Sequence, residues 1–186
     1  MSREWRRAIK KAEKAIDELS LFHTEFWNQK EFITYVNQLK DHLDHYDSLW
    51  FSGHFDNAFA KIVEDCHYEG LAERSDIRIL SLPFSKDQRG KNNRRALEKL
   101  ARFKLKVRVN EDLHARMLIL FNESDIENEV VLGSFDFNRD GLSQAKLNSG
   151  IKSRHTDVFN SAKKFFESVW ESPDTMTLKE YIGKNE

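Results

Sequence analysis

Three segments between residues 113 and 151 decide the fold of this chain: LHARMLILF at 113–121, VVLGSFD at 130–136 and KLNSGI at 146–151. Their apolar runs and turn-forming flanks predict three neighbouring strands. Side chains two positions apart in a strand lie on the same face, so His114 and Arg116 are expected side by side. The pair Gly133-Ser134 closes the second strand, and we expect it to bring a backbone amide and a hydroxyl close to both side chains.

Outside this region the sequence pattern changes once. From Ser48 onward strands alternate with helices, which is typical of an α/β fold. Strands are predicted near 48–53, 77–82, 105–109, 114–121, 129–135 and 146–152, and helices near 55–72, 89–103 and 156–171. Residues 3–45 instead carry helical spacing, with a connector at Phe22–Asn28 in which Asn28 is expected to cap a helix. We expect a helical appendage at 1–45, an α/β domain at 46–172 and a C-terminal tail at 173–186.

The three segments resemble the single-motif pattern of the phospholipase D superfamily, which is His-x-Lys-x4-Asp, then Gly-Ser-x-Asn, then Asn-x-Glu-x-Gly-Val. Four positions match that pattern: His114, Gly133, Ser134 and Gly150. The resemblance covers roughly residues 46 to 171, including the order of strands and helices. It implies a phospholipase D-like mixed sheet flanked by helices, with the two N-terminal helices appended.

Other positions of the chain depart from that pattern. Arg116 replaces lysine, Phe121 replaces aspartate, Asp136 replaces asparagine and Asn148 replaces glutamate. Arginine binds phosphate oxygens as a planar fork, whereas an ionised aspartate can only accept hydrogen bonds and repels an anionic transition state. The departures at Arg116 and Asp136 would compensate each other if the two side chains formed an ion pair, and that pair would hold the pocket shut.

The resemblance also implies a reaction. In the family, a histidine attacks phosphorus to form a phosphohistidine, a second histidine protonates the leaving oxygen, and water releases the phosphate without metal or cofactor. The residues implied are catalytic His114, Arg116, Ser134 and Asp136; phosphate-binding Arg116, Gly133 and Ser134; and secondary Asn148 and Asp112. Family members with one motif build the site from two chains, so an active protein is expected to be a homodimer. His155 is expected to cap the last helix or to lie in solvent.

A basic cluster precedes the His114 strand. Residues 86–108 contain ten lysines and arginines and only two acidic residues. Such blocks often contact nucleic acid, and the residues we expect to do so are Arg89, Lys91, Arg94 and Arg95. A solvated face of an amphipathic helix explains the same pattern, so both interpretations stay open.

Composition sets the outer bounds. Thirty basic and thirty-one acidic residues leave a formal net charge of −1, so no overall field attracts polyanions. The single cysteine, Cys66, excludes an intramolecular disulfide and fits a reducing compartment. No run approaches the ~20 apolar residues of a membrane span, and the N-terminus lacks the apolar stretch of a signal peptide. We therefore expect a cytoplasmic protein without a membrane span.

Two function classes remain open. The first is a metal-free phosphodiesterase, a nuclease-like hydrolase for which nucleic acid is favoured over phospholipid because of the basic cluster. The second is a catalytically inactive phospholipase D-like module that binds a phosphate-bearing ligand, a nucleic acid or a partner protein. The contact between Arg116 and Asp136 separates them, because a closed ion pair counts against the enzyme.

Overall fold

The computed structural model describes residues 24–68, 70, 75–85, 87–122, 128–139, 142 and 148–185. Within these residues eight strands form one mixed sheet, and six helices flank it. The strands are β1 (Thr24–Asn28), β2 (Ser48–Gly53), β3 (Asp76–Ser81), β4 (Lys106–Asn110), β5 (Met117–Phe121), β6 (Glu129–Gly133), β7 (Ser149–Ser153) and β8 (Thr175–Thr177). The helices are α1 (Gln29–Asn37), α2 (Leu39–His45), α3 (Asn57–Tyr68), α4 (Gln88–Arg102), α5 (Thr156–Trp170) and α6 (Leu178–Asn185).

The sheet has the strand order β1-β7-β6-β5-β2-β3-β4-β8. Strands β2, β3 and β4 are parallel and are connected through α3 and α4, as parallel neighbours require a crossover. All other neighbouring pairs are antiparallel. The carboxyl ends of β2, β3, β4 and β6 therefore lie at the same edge of the sheet as the amino ends of β5 and β7. We call this edge the site edge.

Two hydrophobic cores cover the two faces of the sheet. The first core receives residues from α1 to α4 and from α6, whereas α5 packs against the second core. Strand β5 shows the alternation, because Leu118 and Leu120 belong to the first core and Ile119 and Phe121 to the second. Phe121 packs edge-on against Trp50 with ring centroids 4.8 Å apart. The position where the family pattern has aspartate is therefore a core position in this chain.

The connector expected at Phe22–Asn28 contains a strand. Residues Thr24–Asn28 pair antiparallel with β7, with Thr24 opposite Ser153, because β7 has a free edge on that side. Asn28 caps α1 as predicted, since its side chain accepts from the Glu31 amide and the Glu31 carboxylate accepts from the Asn28 amide. The part of the predicted helical appendage that precedes residue 24 lies outside the described residues.

Both ends of the described chain join the same sheet. Helices α1 and α2 contribute Phe32 and Leu43 to the first core. In the expected C-terminal tail, β8 pairs with β4, and α6 adds Leu178 and Tyr181 to that core. A three-residue strand gives no periodic signal, so the sequence pattern missed β8. The domain boundaries at residues 45 and 172 stay predictions.

The three other predicted helices are present with shifted ends. The helix expected at 55–72 is α3, which begins at Asn57 because Phe55 forms an isolated bridge with Phe137 and the Asp56 carboxylate accepts the Ala58 amide at 2.8 Å. The strand expected at 114–121 begins only at Met117. In the described part of the chain, none of the helices has the length and apolar character that crossing a bilayer requires.

Candidate functional site

The segments that decided the fold meet at the site edge. Gly133 ends β6 directly opposite Gly150 of β7. A Cβ atom on Gly133 would lie 2.6 Å from the Ser149 carbonyl oxygen, and one on Gly150 would lie 2.3 Å from the Leu132 carbonyl oxygen. Neither position has room for a side chain, so the two glycines allow β6 and β7 to approach closely at their ends. This approach places Ser134 against the start of β7.

Ser134 and Asn148 contact each other at the site edge. The Ser134 hydroxyl oxygen lies 3.3 Å from Asn148 Oδ1 and accepts the Ser149 amide at 3.2 Å. The Ser134 amide donates to the Ser149 carbonyl at 3.1 Å. These bonds fix the Gly-Ser turn, and Ser134 stays exposed at the surface of the edge.

Arg116 and Asp136 form an ion pair. Arg116 Nε donates to Asp136 Oδ1 at 2.6 Å, and the side chains are 29% and 19% exposed. A charge-assisted bond of this length in a partly buried position is among the stronger polar contacts in proteins. Within the described residues this bond uses Nε alone, and the terminal guanidinium nitrogens form no hydrogen bond or ion pair. The compensation expected between these two departures is therefore present.

His114 lies in the extended segment just before β5. Its neighbours Leu113 and Ala115 pack against the second core, which leaves His114 and Arg116 on the other side of the chain. His114 is exposed and makes no hydrogen bond to the residues that the structure describes. An imidazole in this position is open to a ligand in solvent.

Asp112 does not stand in for the missing glutamate through strand geometry. It lies in a turn after β4, where its amide donates to Asn110 Oδ1 at 3.0 Å. Side chains two positions apart share a face only in a strand, and β5 begins three residues after His114, so strand geometry does not place Asp112 beside it. Among described residues, no hydrogen bond or ion pair joins Asp112 to His114.

Sequence reasoning missed His54, which follows β2 at the site edge. Its amide lies 3.4 Å from Asp136 Oδ1, and its ring nitrogen Nδ1 is buried without a hydrogen-bond partner among the described residues. Burial is the main cause that lowers the pKa of His54 below its usual value; Asp136 opposes this shift, and Arg116 and Arg89 add to it. The signal available in the sequence was its position just after a predicted strand, where ligand-binding residues collect in α/β sheets.

Gly53 brings His54 to this position. Its φ of +152° is a conformation that side chains rarely allow. A Cβ atom on Gly53 would lie 3.3 Å from the Phe137 ring and 3.7 Å from Arg116 Cγ. Glycine therefore lets β2 end tightly against the Arg116–Asp136 pair and turn the chain at His54.

The four basic residues expected to contact nucleic acid all lie on α4, whose amino end reaches the site edge. The charge of Arg89 is one cause, after burial and Arg116, that lowers the pKa of His54. Lys91 and Arg94 line a cleft of about 360 Å³ together with Tyr181 of α6. Arg94 is also paired with Glu98, with Arg94 Nε 2.9 Å from the carboxylate. Arg95 is exposed. Only Arg89 of the four thus bears directly on the His54 cluster.

His155 has the structural role that the sequence favoured. It is the N-cap of α5, and its Nδ1 accepts the Asp157 amide at 3.3 Å. The described residues contain no group of three or more His, Cys, Asp or Glu side chains placed to hold a metal ion.

Comparison by sequence finds no relatives: no protein-family model matches the chain, and no curated protein matches it significantly. Comparison by structure finds similar proteins. The phospholipase D family member Nuc from Salmonella typhimurium superimposes with a TM-score of 0.56 at 14% identity, over 79% of this chain and 93% of Nuc. NucT from Helicobacter pylori gives a TM-score of 0.58 at 12% identity, over 83% of this chain and 98% of NucT.

A larger protein contains a similar domain. Polyphosphate kinase from Porphyromonas gingivalis gives a TM-score of 0.63 at 12% identity, over 83% of this chain but only 27% of the kinase. Identities this low establish a shared fold and leave the chemistry to the residues at the site. The chain therefore has the fold of these proteins, among them the phospholipase D family member Nuc.

Proposed function

We propose that this protein is a phospholipase D-like module that binds a phosphate-bearing ligand at the site edge without hydrolysing it. The observation that carries the proposal is the Arg116–Asp136 ion pair. Nucleic acid is the favoured ligand, because α4 begins at this edge and carries Arg89, and Lys91 and Arg94 line a cleft further along the helix.

The ion pair disfavours hydrolysis. In the family pattern an asparagine stands at position 136 and can donate a hydrogen bond to a phosphate oxygen. Asp136 in its ionised form only accepts, and its charge opposes the negative charge that develops on the phosphoryl group. Loss of one such donor typically lowers kcat by about 10²–10³-fold. Asn148 removes a second family charge, and it bonds to Ser134 instead.

The same ion pair is compatible with binding. Asp136 engages only Nε of Arg116 and so holds the guanidinium in one orientation. Neither terminal nitrogen of Arg116 forms a hydrogen bond within the described residues, so both retain donors for the oxygens of a phosphate. The Ser134 hydroxyl and the exposed His114 ring lie on segments of the same edge. A phosphate there meets donors without displacing Asp136.

The test measures binding and hydrolysis separately. Binding is followed by the anisotropy of a rhodamine-labelled thymidine hexanucleotide, and hydrolysis by release of nitrophenol from bis(p-nitrophenyl) phosphate in chelator. We expect Arg116→Ala to weaken binding by about tenfold or more, as loss of a charged hydrogen bond does. Arg102→Ala, at the far end of α4, is the matched control and should retain wild-type affinity. We expect no turnover from the wild type. If Arg116→Ala and Arg102→Ala bound the hexanucleotide with equal affinity, the proposal would be contradicted.

A metal-free phosphodiesterase is the second candidate. It is supported by His114, which is exposed beside Arg116 and makes no hydrogen bond to the described residues. Chelator-resistant turnover that disappears in His114→Ala would favour this candidate over the first. In that case the triple change Arg116→Lys, Asp136→Asn and Asn148→Glu should raise turnover. The active form should also be the homodimer, which sedimentation at the assay concentration would detect.

A further inference from the structure

His54 lies in a cluster of fixed charges. Among the described residues, the charged groups that act on its imidazole are Asp136 after β6, Arg116 before β5 and Arg89 on α4. These three groups are one anion and two cations, so together they carry a net charge of about +1. Burial is the main cause that favours a neutral imidazole, and the excess of positive charge in this group adds to it and also attracts an anion.

A second observation concerns the ring itself. Nδ1 is buried and has no partner among the described residues, although the backbone amide of the same residue lies 3.4 Å from Asp136 Oδ1. Buried polar atoms in native proteins are usually satisfied, so an unsatisfied one at the edge of a candidate site requires an explanation. A neutral imidazole accepts at one nitrogen, and a protonated ring donates at both.

We propose that His54 is a ligand-binding residue of the site edge, and that its imidazole takes up one proton from solvent when a phosphodiester binds beside Arg116 and Arg89. The inference rests on the proposed function, since it concerns the same ligand at the same edge. The diester adds one negative charge and cancels the positive excess around the ring. The negative charges of Asp136 and of the ligand then both favour the charged form of the ring.

Proton uptake makes binding depend on pH. Because the neutral ring must gain a proton, affinity should rise as the pH falls through the range in which the bound ring titrates. The thymidine hexanucleotide is a suitable probe, because neither its diesters nor its bases titrate in this range. We expect the wild type to bind about threefold to tenfold more tightly at about pH 5.5 than at about pH 8, at constant ionic strength.

Variants assign the proton to one ring. His54→Gln should bind with an affinity that no longer changes with pH, whereas the control His45→Gln, at an exposed position of α2, should retain the wild-type dependence. His114→Gln is needed as well, because His114 lies at the same edge. If the dependence persists in His54→Gln and disappears in His114→Gln, the proposal is overturned.

A direct titration of His54 in the wild type tests the proposal even if His54→Gln fails to fold. The ring carbon protons of His54, assigned by their loss in the spectrum of His54→Gln or by through-bond correlation, are followed by NMR in the wild type. We expect their midpoint to move to higher pH when the hexanucleotide is added. An unchanged midpoint with a bound ligand overturns the role of His54 but leaves the proposed function standing. No binding at any pH, by contrast, overturns both.

Discussion

Asp136 determines what Arg116 can do. The carboxylate holds Arg116 Nε at 2.6 Å and lies 3.4 Å from the His54 amide, so one side chain orients residues from two other segments. Its negative charge also lowers the positive potential that a phosphate would meet. At the proposed site, Asp136 therefore orients the guanidinium of Arg116 but weakens its attraction for a phosphate.

Asp136→Asn should tighten ligand binding. Asparagine removes one negative charge and can donate through its amide, so both changes favour a phosphate at Arg116. We expect the affinity for the thymidine hexanucleotide to rise by about fivefold at low salt, and less at high salt. Asp44→Asn makes the same change of charge at an exposed position of α2, just before the amino end of β2 at the opposite edge, and should leave affinity unaltered. Weaker binding by Asp136→Asn would mean that orientation of Arg116 outweighs charge.

His42 should make stability depend on pH. Burial lowers the pKa of His42 to about 4, and its Nε2 lies 3.0 Å from the Tyr35 carbonyl oxygen. The unfolded chain binds a proton below about pH 6.5, whereas the folded one does not until about pH 4. The free energy of unfolding should therefore fall as the pH is lowered between these values.

Urea titrations at about pH 7 and about pH 5 measure this loss. His42→Gln should show a smaller loss of stability between the two pH values than the wild type. His45→Gln carries the same change on the exposed side of α2 and should lose as much as the wild type. Identical behaviour of the two variants would place the dependence on other groups.

The strands differ in how well the sequence pattern predicted them. Strands β2, β5 and β6 carry long apolar runs, so their existence followed from the pattern. Strand β1 was missed because its pairing depends on the free edge of β7, which no local pattern encodes. His54 was missed for a similar reason, since only the turn at Gly53 brings it to Asp136. The Arg116–Asp136 pair was foreseen because two departures from one motif pointed to each other.

A buried ionic cluster ties α1, β6 and β7 together. Glu129 is 2% exposed at its side chain and accepts from Lys152 at 2.9 Å and from Arg154 at 3.0 Å, and Tyr35 of α1 donates to it as well. Lys152 also lies over the Tyr35 ring at 4.9 Å. The cluster joins residues that are far apart in the chain and links the first helix to the antiparallel half of the sheet.

Glu129→Ala should be strongly destabilising. It would leave Lys152, whose side chain is 14% exposed, as a cation without its buried partner. Breaking a buried pair in this way typically costs about 3–5 kcal/mol of unfolding free energy. Glu98→Ala removes one partner of an i,i+4 pair on α4 whose side chains are about one-third exposed, and should cost only about 0.5 kcal/mol. If Glu129→Ala and Glu98→Ala lowered the free energy of unfolding equally in urea, the Glu129 cluster would stabilise the fold no more than the exposed pair on α4 does.

At the scale of the whole molecule, the two ends of the described chain complete opposite edges of one sheet. Strand β1 lies outside β7, and β8 lies outside β4. The first core contains Trp27 of β1 and Leu178 of α6, so it extends from one end of the described chain to the other. A core shared in this way predicts that the sheet unfolds as one cooperative unit.

Leu178→Ala tests, from the C-terminal end of the described chain, whether the sheet unfolds as one cooperative unit. Leu178 is 7% exposed in the first core, and truncation of a buried leucine typically costs about 2–5 kcal/mol. Tryptophan fluorescence reports on Trp27, Trp50 and Trp170 as well as on Trp5, and far-UV circular dichroism reports on the helices. We expect the two signals to coincide in urea for the wild type, and Leu178→Ala to move both to lower urea together.

Lys179→Ala changes the next, exposed residue and should stay within about 0.5 kcal/mol of the wild type. If Leu178→Ala separates the two transitions, or leaves the fluorescence transition in place, β8 and α6 fold apart from the sheet. The C-terminal boundary expected near residue 172 would then describe a real division in stability. A joint shift would instead mean that the site edge is held by a sheet whose stability depends on both ends of the described chain.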